Sequence, residues 1–229
     1  MAPVNDQVFQ LLRTKAKQNK DATDATFHAF TSLKLVLQQM ERELKHVMVK
    51  EDARIKIQYT DRGTFEAELK VADDVLIFIM HTNAFVFEAG HSIWKTGYVS
   101  LDKNRGTCGM ISVYNFLSDA MKYERGGEAG QLVGRIFVNS ENHFFVEGKR
   151  QIGILHSDYA TQVVSDAMMQ SIVEACLVYS MDIDVNVPPI DAMKEITVSD
   201  ALNYTIQTAI GETKKLGFKF QNSNDDVEA

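Results

Sequence analysis

Cysteine is scarce in this chain: Cys108 and Cys176 are the only two in 229 residues. They lie far apart and lack a metal-ligand spacing, which speaks against a disulfide framework or a zinc site and suits two reduced, buried thiols. Proline is scarcer still for the length, at three residues, and no stretch rich in Pro, Gly or Ser marks a linker. A single domain over 1–221 is therefore expected, followed by a disordered acidic tail at 222–229, with Asn186–Ile190 as the second choice for a boundary. Long apolar runs are missing as well. The longest, Val75–Met80, has six residues, against the ~20 that a membrane helix needs. The opening Met-Ala-Pro-Val-Asn-Asp has no basic region leading into an apolar one, so no signal peptide is expected and the protein is read as cytoplasmic. Lys and Arg are scattered, and the formal charge is −7. Binding to a phosphate backbone draws on clustered cations, so nucleic acid is disfavoured as a partner.

What is present is ordinary globular material, 45% hydrophobic and 24% charged, enough to fill a core without disulfides or metals. Val75–Met80, preceded by Asp73-Asp74 and followed by His81-Thr82-Asn83, suits a strand covered on both faces. Before it, Ile55, Ile57 and Tyr59 alternate with Arg54, Lys56 and Gln58. After Thr60-Asp61-Arg62-Gly63, the residues Phe65, Ala67, Leu69 and Val71 alternate with Glu66, Glu68 and Lys70. Two half-buried strands about a Gly-containing turn predict a β-hairpin. Short links then make the next strands antiparallel neighbours: Ala84–Glu88, Ile93–Leu101, Met110–Phe116, a hairpin of Leu132–Val138 with His143–Val146, and a last strand at Gln151–Leu155. Loops of two or four residues in that hairpin both put Phe137 opposite Phe144 and Ile136 opposite Phe145.

Helices flank this meander. Val4 to about Gln18 predicts a short helix, broken at Asn19-Lys20-Asp21. Asp24 caps a second one, whose stripe Phe30, Leu33, Leu37, Met40, Leu44 and Val47 steps by three and four. That stripe serves either the sheet or a dimer seam. Leu117–Tyr123 predicts a short helix. Ser157 or Asp158 can cap another reaching Ser180, with Val164, Met168, Ile172, Ala175 and Tyr179 inward, ended before Pro188-Pro189. Ser199 caps a last helix carrying Leu202, Ile206 and Ile210, stopped by Gly217. The expected class is α+β: a mostly antiparallel β-sheet with an N-terminal helical pair and C-terminal helices packed on it.

Candidate chemistry is thin. Glu68-Leu69-Lys70 matches the E-x-K half of a metal-dependent nuclease, and Glu147-Gly148-Lys149 repeats it. The next acid upstream, Asp61, lies about 20 Å away when counted along an extended chain. Glu66, Glu68 and Lys70 remain the catalytic candidates of a phosphoesterase or nuclease using a divalent ion. The histidines do not cluster. His81 and His91 sit at opposite ends of Ala84–Glu88, His143 and Glu147 stand about 13 Å apart on one strand, and Glu88 with His91 supplies only two ligands, so no metal site is expected. Cys108, His156 and Asp158 could form a thiol triad, but Cys108 leads into a strand and Asp158 is explained as first-turn charge. Gly126-Gly127-Glu128-Ala129-Gly130 precedes a strand, whereas a phosphate loop opens a helix. Gly134–Ile152 combines Phe137 and Phe144 with Arg135, the composition of binding surfaces, and Trp94 reads as a core or rim aromatic.

The function expected from these features is that of a cytosolic binding or interaction module, homodimeric, with no cofactor. Phe30, Leu33, Leu37, Met40 and Leu44 are its interface candidates, and Arg135, Phe137 and Phe144 its binding candidates. A protein partner or a second copy is the expected contact. The alternatives are the metal hydrolase and a small-ligand sensor with its pocket between the sheet and the Asp158–Ser180 helix.

Overall fold

The computed structural model describes residues 5–123, 128–149, 152–155 and 157–183. His156, Pro188-Pro189, the Ser199 helix and the acidic tail lie outside the described residues, as do Gly126 and Gly127.

A seven-stranded antiparallel sheet forms the body: β1 (Ile57–Asp61), β2 (Glu66–Val71), β3 (Asp74–Met80), β4 (Phe85–Val86), β5 (Thr107–Leu117), β6 (Gln131–Asn139) and β7 (Phe144–Gly148). Its order is β1-β2-β3-β5-β6-β7. β5 is long enough to take β3 along Ile111–Leu117 and β4 at Thr107-Cys108 on one edge, while β6 takes the other. The class predicted from sequence is therefore correct, and so is the first hairpin, with Ile57 opposite Val71 and Tyr59 opposite Leu69.

The expected helical pair is one continuous rod. α1 (Asp6–Leu11) runs through a π-helical stretch, Leu12–Ala16, into α2 (Lys17–Glu51) without a break at Asn19-Lys20-Asp21. Those polar residues sit on an exposed helical face, where Lys17–Asp21 and Lys20–Asp24 ion pairs at i,i+4 support the helix instead of ending it. α2 spans 35 residues, about 52 Å at 1.5 Å per residue, and contacts β1, β2, β3, β5 and β6.

α2 and α6 (Asp166–Met181) cover one face of the sheet. Phe30, Leu33, Leu37 and Met40 pack there on Leu69, Leu76, Phe78, Ile111, Ile136 and Phe144, with Ile172 and Cys176 from α6. The stripe offered as an interface is thus used internally: these four side chains are buried, and Leu44 packs partly buried against the same core. Val47, in the same stripe, is exposed, while the next residue, Met48, still packs against the core. The approach is close at Gly109, where a Cβ would stand 2.2 Å from Thr26 Oγ1; only glycine lets α2 come down so near the strand. α6 begins at Asp166 and is capped by Ser165, whose side chain accepts from Met168 N–H. Its inward face is Met169, Ile172, Val173, Cys176 and Leu177; of the predicted stripe Ile172 is buried, Val164, Ala175 and Tyr179 pack partly buried against the same core, and Met168 is exposed.

Two further expectations fail. Ile93–Leu101 is a 3-10 turn, Ser92–Lys95, followed by α3 (Gly97–Leu101). Its polar punctuation decides this: His91 Nδ1 accepts from Ile93 N–H and Thr96 Oγ1 from Val99 N–H, each starting a helical turn. Residues 152–155 form α5 (Ile152–Leu155) instead of a strand; Gly148 and Gly153 let this turn fold back onto β7, where a Cβ on Gly148 would meet Ile152 at 2.5 Å. The predicted short helix after β5 does form, as α4 (Ser118–Lys122).

Candidate functional site: an aromatic pocket on the second face of the sheet

The β6–β7 hairpin determines what this second face presents. Asn142 N–H bonds to Asn139 O, Asn139 N–H bonds to His143 O, and Asn142 takes φ 62°. This is a three-residue loop closed by a left-handed asparagine, a geometry neither even-length alternative contains. The register moves by one: Phe137 faces Phe145, Ile136 faces Val146 and Val138 faces Phe144. The proposed binding trio is therefore split. Phe144 points into the α2/α6 core and is fully buried, while Phe137 and Arg135 lie on the opposite face with Phe145 and Glu147.

On that face the segment between β3 and β5 lies across the strands as a strap. It comprises β4, the Ser92–Lys95 turn, α3 and a second 3-10 turn at Lys103–Gly106, started by Asp102 Oδ1 accepting from Asn104 N–H. Ile93, Val99, Cys108, Phe137, Phe145 and Tyr159 make a second core beneath it, with Phe87, Trp94, Tyr98 and Met110 packed alongside. Phe137 and Phe145 stack with centroids 5.1 Å apart, and Phe87 meets Phe137 edge-on at 4.9 Å.

Polar anchors tie the strap down. His91 Nδ1 accepts a backbone proton, so the neutral ring carries its own proton on Nε2 and donates it to Glu147 Oε1 at 3.0 Å. The other Glu147 oxygen accepts from Arg135, and the His91 ring stacks on Phe87 at 4.6 Å. Nearby, Glu141 accepts from Tyr98 Oη at 2.7 Å and from Arg105 Nε at 3.0 Å, while the Arg105 guanidinium lies over the Tyr98 ring. The Tyr98 hydrogen bond holds the Glu141 carboxyl below its ordinary range. Both nitrogens of His91 are thus committed to holding structure, leaving neither to accept a proton from a substrate.

Between the strap's turns lies a pocket of about 530 Å³, lined by Phe87, Ala89, Trp94, Val99, Ser100 and Lys103. Trp94 is fixed from two sides: its Nε1–H donates to Glu88 O at 2.9 Å, and its ring lies so near Gly106 that a Cβ there would be 2.6 Å away. The Ser100 hydroxyl donates to Gly97 O. Lys103 is the one ionisable side chain among the lining residues.

The other candidates are placed elsewhere. Glu66, Glu68 and Lys70 do share one face of β2, but Arg62 holds both carboxylates, Glu66 at 3.2 Å and Glu68 at 3.1 Å. Asp61 is no longer far along the chain, because the hairpin brings it opposite Ala67. It points to the helix side, where Lys34 Nζ donates to Oδ1 at 2.7 Å, and that bond keeps its carboxyl below the ordinary range. Facing, and not distance, separates it from Glu66 and Glu68. Among the described residues no group of three His, Cys, Asp or Glu side chains gathers closely enough to hold a metal ion. His81 meets Ser112, and His143 bonds through Nδ1 to Tyr159 O. Cys108 is buried under the strap, its thiol pushed up to about 12 by desolvation. Tyr159 Oη donates to Arg105 O at 2.6 Å, so the thiol must be the donor to Tyr159 at 3.2 Å; a buried neutral thiol is no nucleophile. Asp158 caps its own turn through Ala160 N–H and Thr161 Oγ1.

Phe87, Ala89, Val99, Ser100 and Lys103 were not singled out in the sequence. The available signal was the punctuation Thr96-Gly97 and Asp102, which breaks a supposed strand into capped turns. Comparison with protein-family models, with curated proteins and with solved structures finds no match for this chain.

Proposed function

We propose that this protein is a binding module without catalytic machinery of its own, and that its ligand is a small molecule held in the pocket of Phe87, Trp94 and Lys103. One observation carries the reading: both aromatic walls are fixed before any ligand arrives, Trp94 by Glu88 O and Gly106, Phe87 by His91 and Phe137. Walls that need no ordering make binding cheaper in entropy. The volume of about 530 Å³ suits a ligand of modest size. The sensor reading is thereby kept but moved, since the face between the sheet and α6 is filled by Met169, Ile172, Val173 and Cys176. Screening a fragment library by ligand-observed NMR tests it. Hits should lose their signal in Ser100→Phe, which fills the pocket from an exposed position; hits indifferent to that change would refute the site.

A second reading, self-association, is favoured by the N-terminal arm. Residues 5–17 are exposed throughout, including Val8 at 45%, Phe9 at 53%, Leu11 at 53% and Leu12 at 58%. A helical extension without tertiary contacts is marginal in water, and a second copy would cover the same side chains on both partners by two-fold symmetry. Cytosolic residence is likewise a proposal, supported by two buried free thiols. No described helix is long and apolar enough to cross a membrane.

A further inference from the structure

The geometry points to an organic anion with a flat apolar body, such as an arylalkyl carboxylate, as the class of ligand this pocket takes; the inference rests on the pocket being a ligand site at all. Phe87, Trp94, Val99 and Ala89 make most of the lining apolar, and with one face of Phe87 covered by His91 the two rings of this lining suit a planar apolar group. The polar end of the ligand is decided by which donors remain unspent. The Trp94 N–H goes to Glu88 O. The Ser100 hydroxyl goes to Gly97 O. Lys103 is different: it lines the pocket, and among the described residues no carboxylate lies within ion-pair distance of it.

Two acids of this face already have partners. Asp102 Oδ1 accepts from Asn104 N–H, and Glu141 is held by Tyr98 and Arg105. Aromatic faces alone would favour a cation, but an ammonium in this pocket would sit beside the Lys103 ammonium. A carboxylate at the rim with its ring between Phe87 and Trp94 satisfies both features at once. The exposed position of Lys103 limits the charge preference to the range of surface ion pairs, about fivefold in affinity.

The experiment is calorimetric titration of the full chain with a matched trio: 4-phenylbutyrate, 4-phenylbutan-1-ol and 4-phenylbutylamine. The expected order is carboxylate tightest, by about fivefold over the alcohol, with the amine weakest. Within Lys103→Met the carboxylate and the alcohol should bind with equal affinity, while unaltered Trp94 emission confirms that the pocket has kept its shape. Equal binding of all three, tightest binding of the amine, or a carboxylate preference surviving Lys103→Met would overturn the anion assignment while leaving the pocket reading standing. Failure of all three to bind up to about 10 mM would remove both.

Discussion

His91 and Glu147 are 56 positions apart in the chain and meet at 3.0 Å. Their hydrogen bond fastens the strap over the second face of the sheet, and it links the residue that starts the Ser92–Lys95 turn to the strand that carries Phe145. Glu147→Ala removes the acceptor for both His91 and Arg135. Hydrogen bonds to charged groups contribute about 1.5–3 kcal/mol; partial exposure of this pair reduces that to about 1 kcal/mol. The expected readouts are a lower urea midpoint and faster amide exchange in residues 91–106, with the helix side unchanged. Uniform exchange across the whole sheet would show that the bond does not act on the strap.

Gly109→Ala places a methyl 2.2 Å from Thr26 Oγ1 and 2.7 Å from its Cβ. Overpacking of this kind costs about 1–3 kcal/mol, and Thr26 is fully buried, so the helix must lift as a whole. The variant should melt several degrees lower, and pairing it with Thr26→Ala should recover part of the loss. An unchanged melting temperature would contradict the close approach of α2.

Alkaline pH should weaken the fold through the two cysteines. Burial pushes both thiols up to about 12 from an ordinary 9. Between those values the folded protein keeps protons that the unfolded chain has lost, so stability falls as pH rises through that window and is fully present below it. Urea midpoints taken from pH 8 upward should decline above about 9. The double variant Cys108→Ala, Cys176→Ala should reduce that slope, leaving the part that Tyr98 and Tyr159, also pushed up by burial, contribute at higher pH. A slope of equal size in the double variant would assign the effect to other groups.

The metal-hydrolase arrangement makes a plain prediction too. With Arg62 holding Glu66 and Glu68, and Lys34 holding Asp61, Mg²⁺ or Mn²⁺ should leave the melting temperature unchanged in the native protein and in Glu68→Ala. A rise lost in Glu68→Ala would restore that reading.

For the arm, light scattering should give a dimer mass that falls to the monomer value in Leu12→Glu. A monomer at high concentration in the native protein would end the self-association reading.

How much of this was legible in the residues differs from element to element, for physical reasons. The first hairpin could be read because Ile57, Tyr59, Leu69 and Val71 alternate with charged residues, and one face must be buried. The second could not, because both its faces are apolar and alternation then carries no sign; an asparagine's left-handed φ set the register. The helix break at Asn19-Lys20-Asp21 was wrong because residues poor in helix propensity cost little when i,i+4 ion pairs and a long neighbouring helix hold them. The pocket escaped notice because its lining comes from successive capped turns whose apolar residues resemble a strand when their caps are ignored. Its anchors, Glu147 and Gly106, bear on it only through tertiary contact.

Trp94 is the only tryptophan in the chain and forms a wall of the pocket, so its fluorescence reports on occupancy directly. Titration with 4-phenylbutyrate, excited where the ligand does not absorb, should give a saturable change in Trp94 emission in the native protein and none in Ser100→Phe. The same saturable change in both proteins, or none in the native one, would contradict the assignment of this pocket as the binding site.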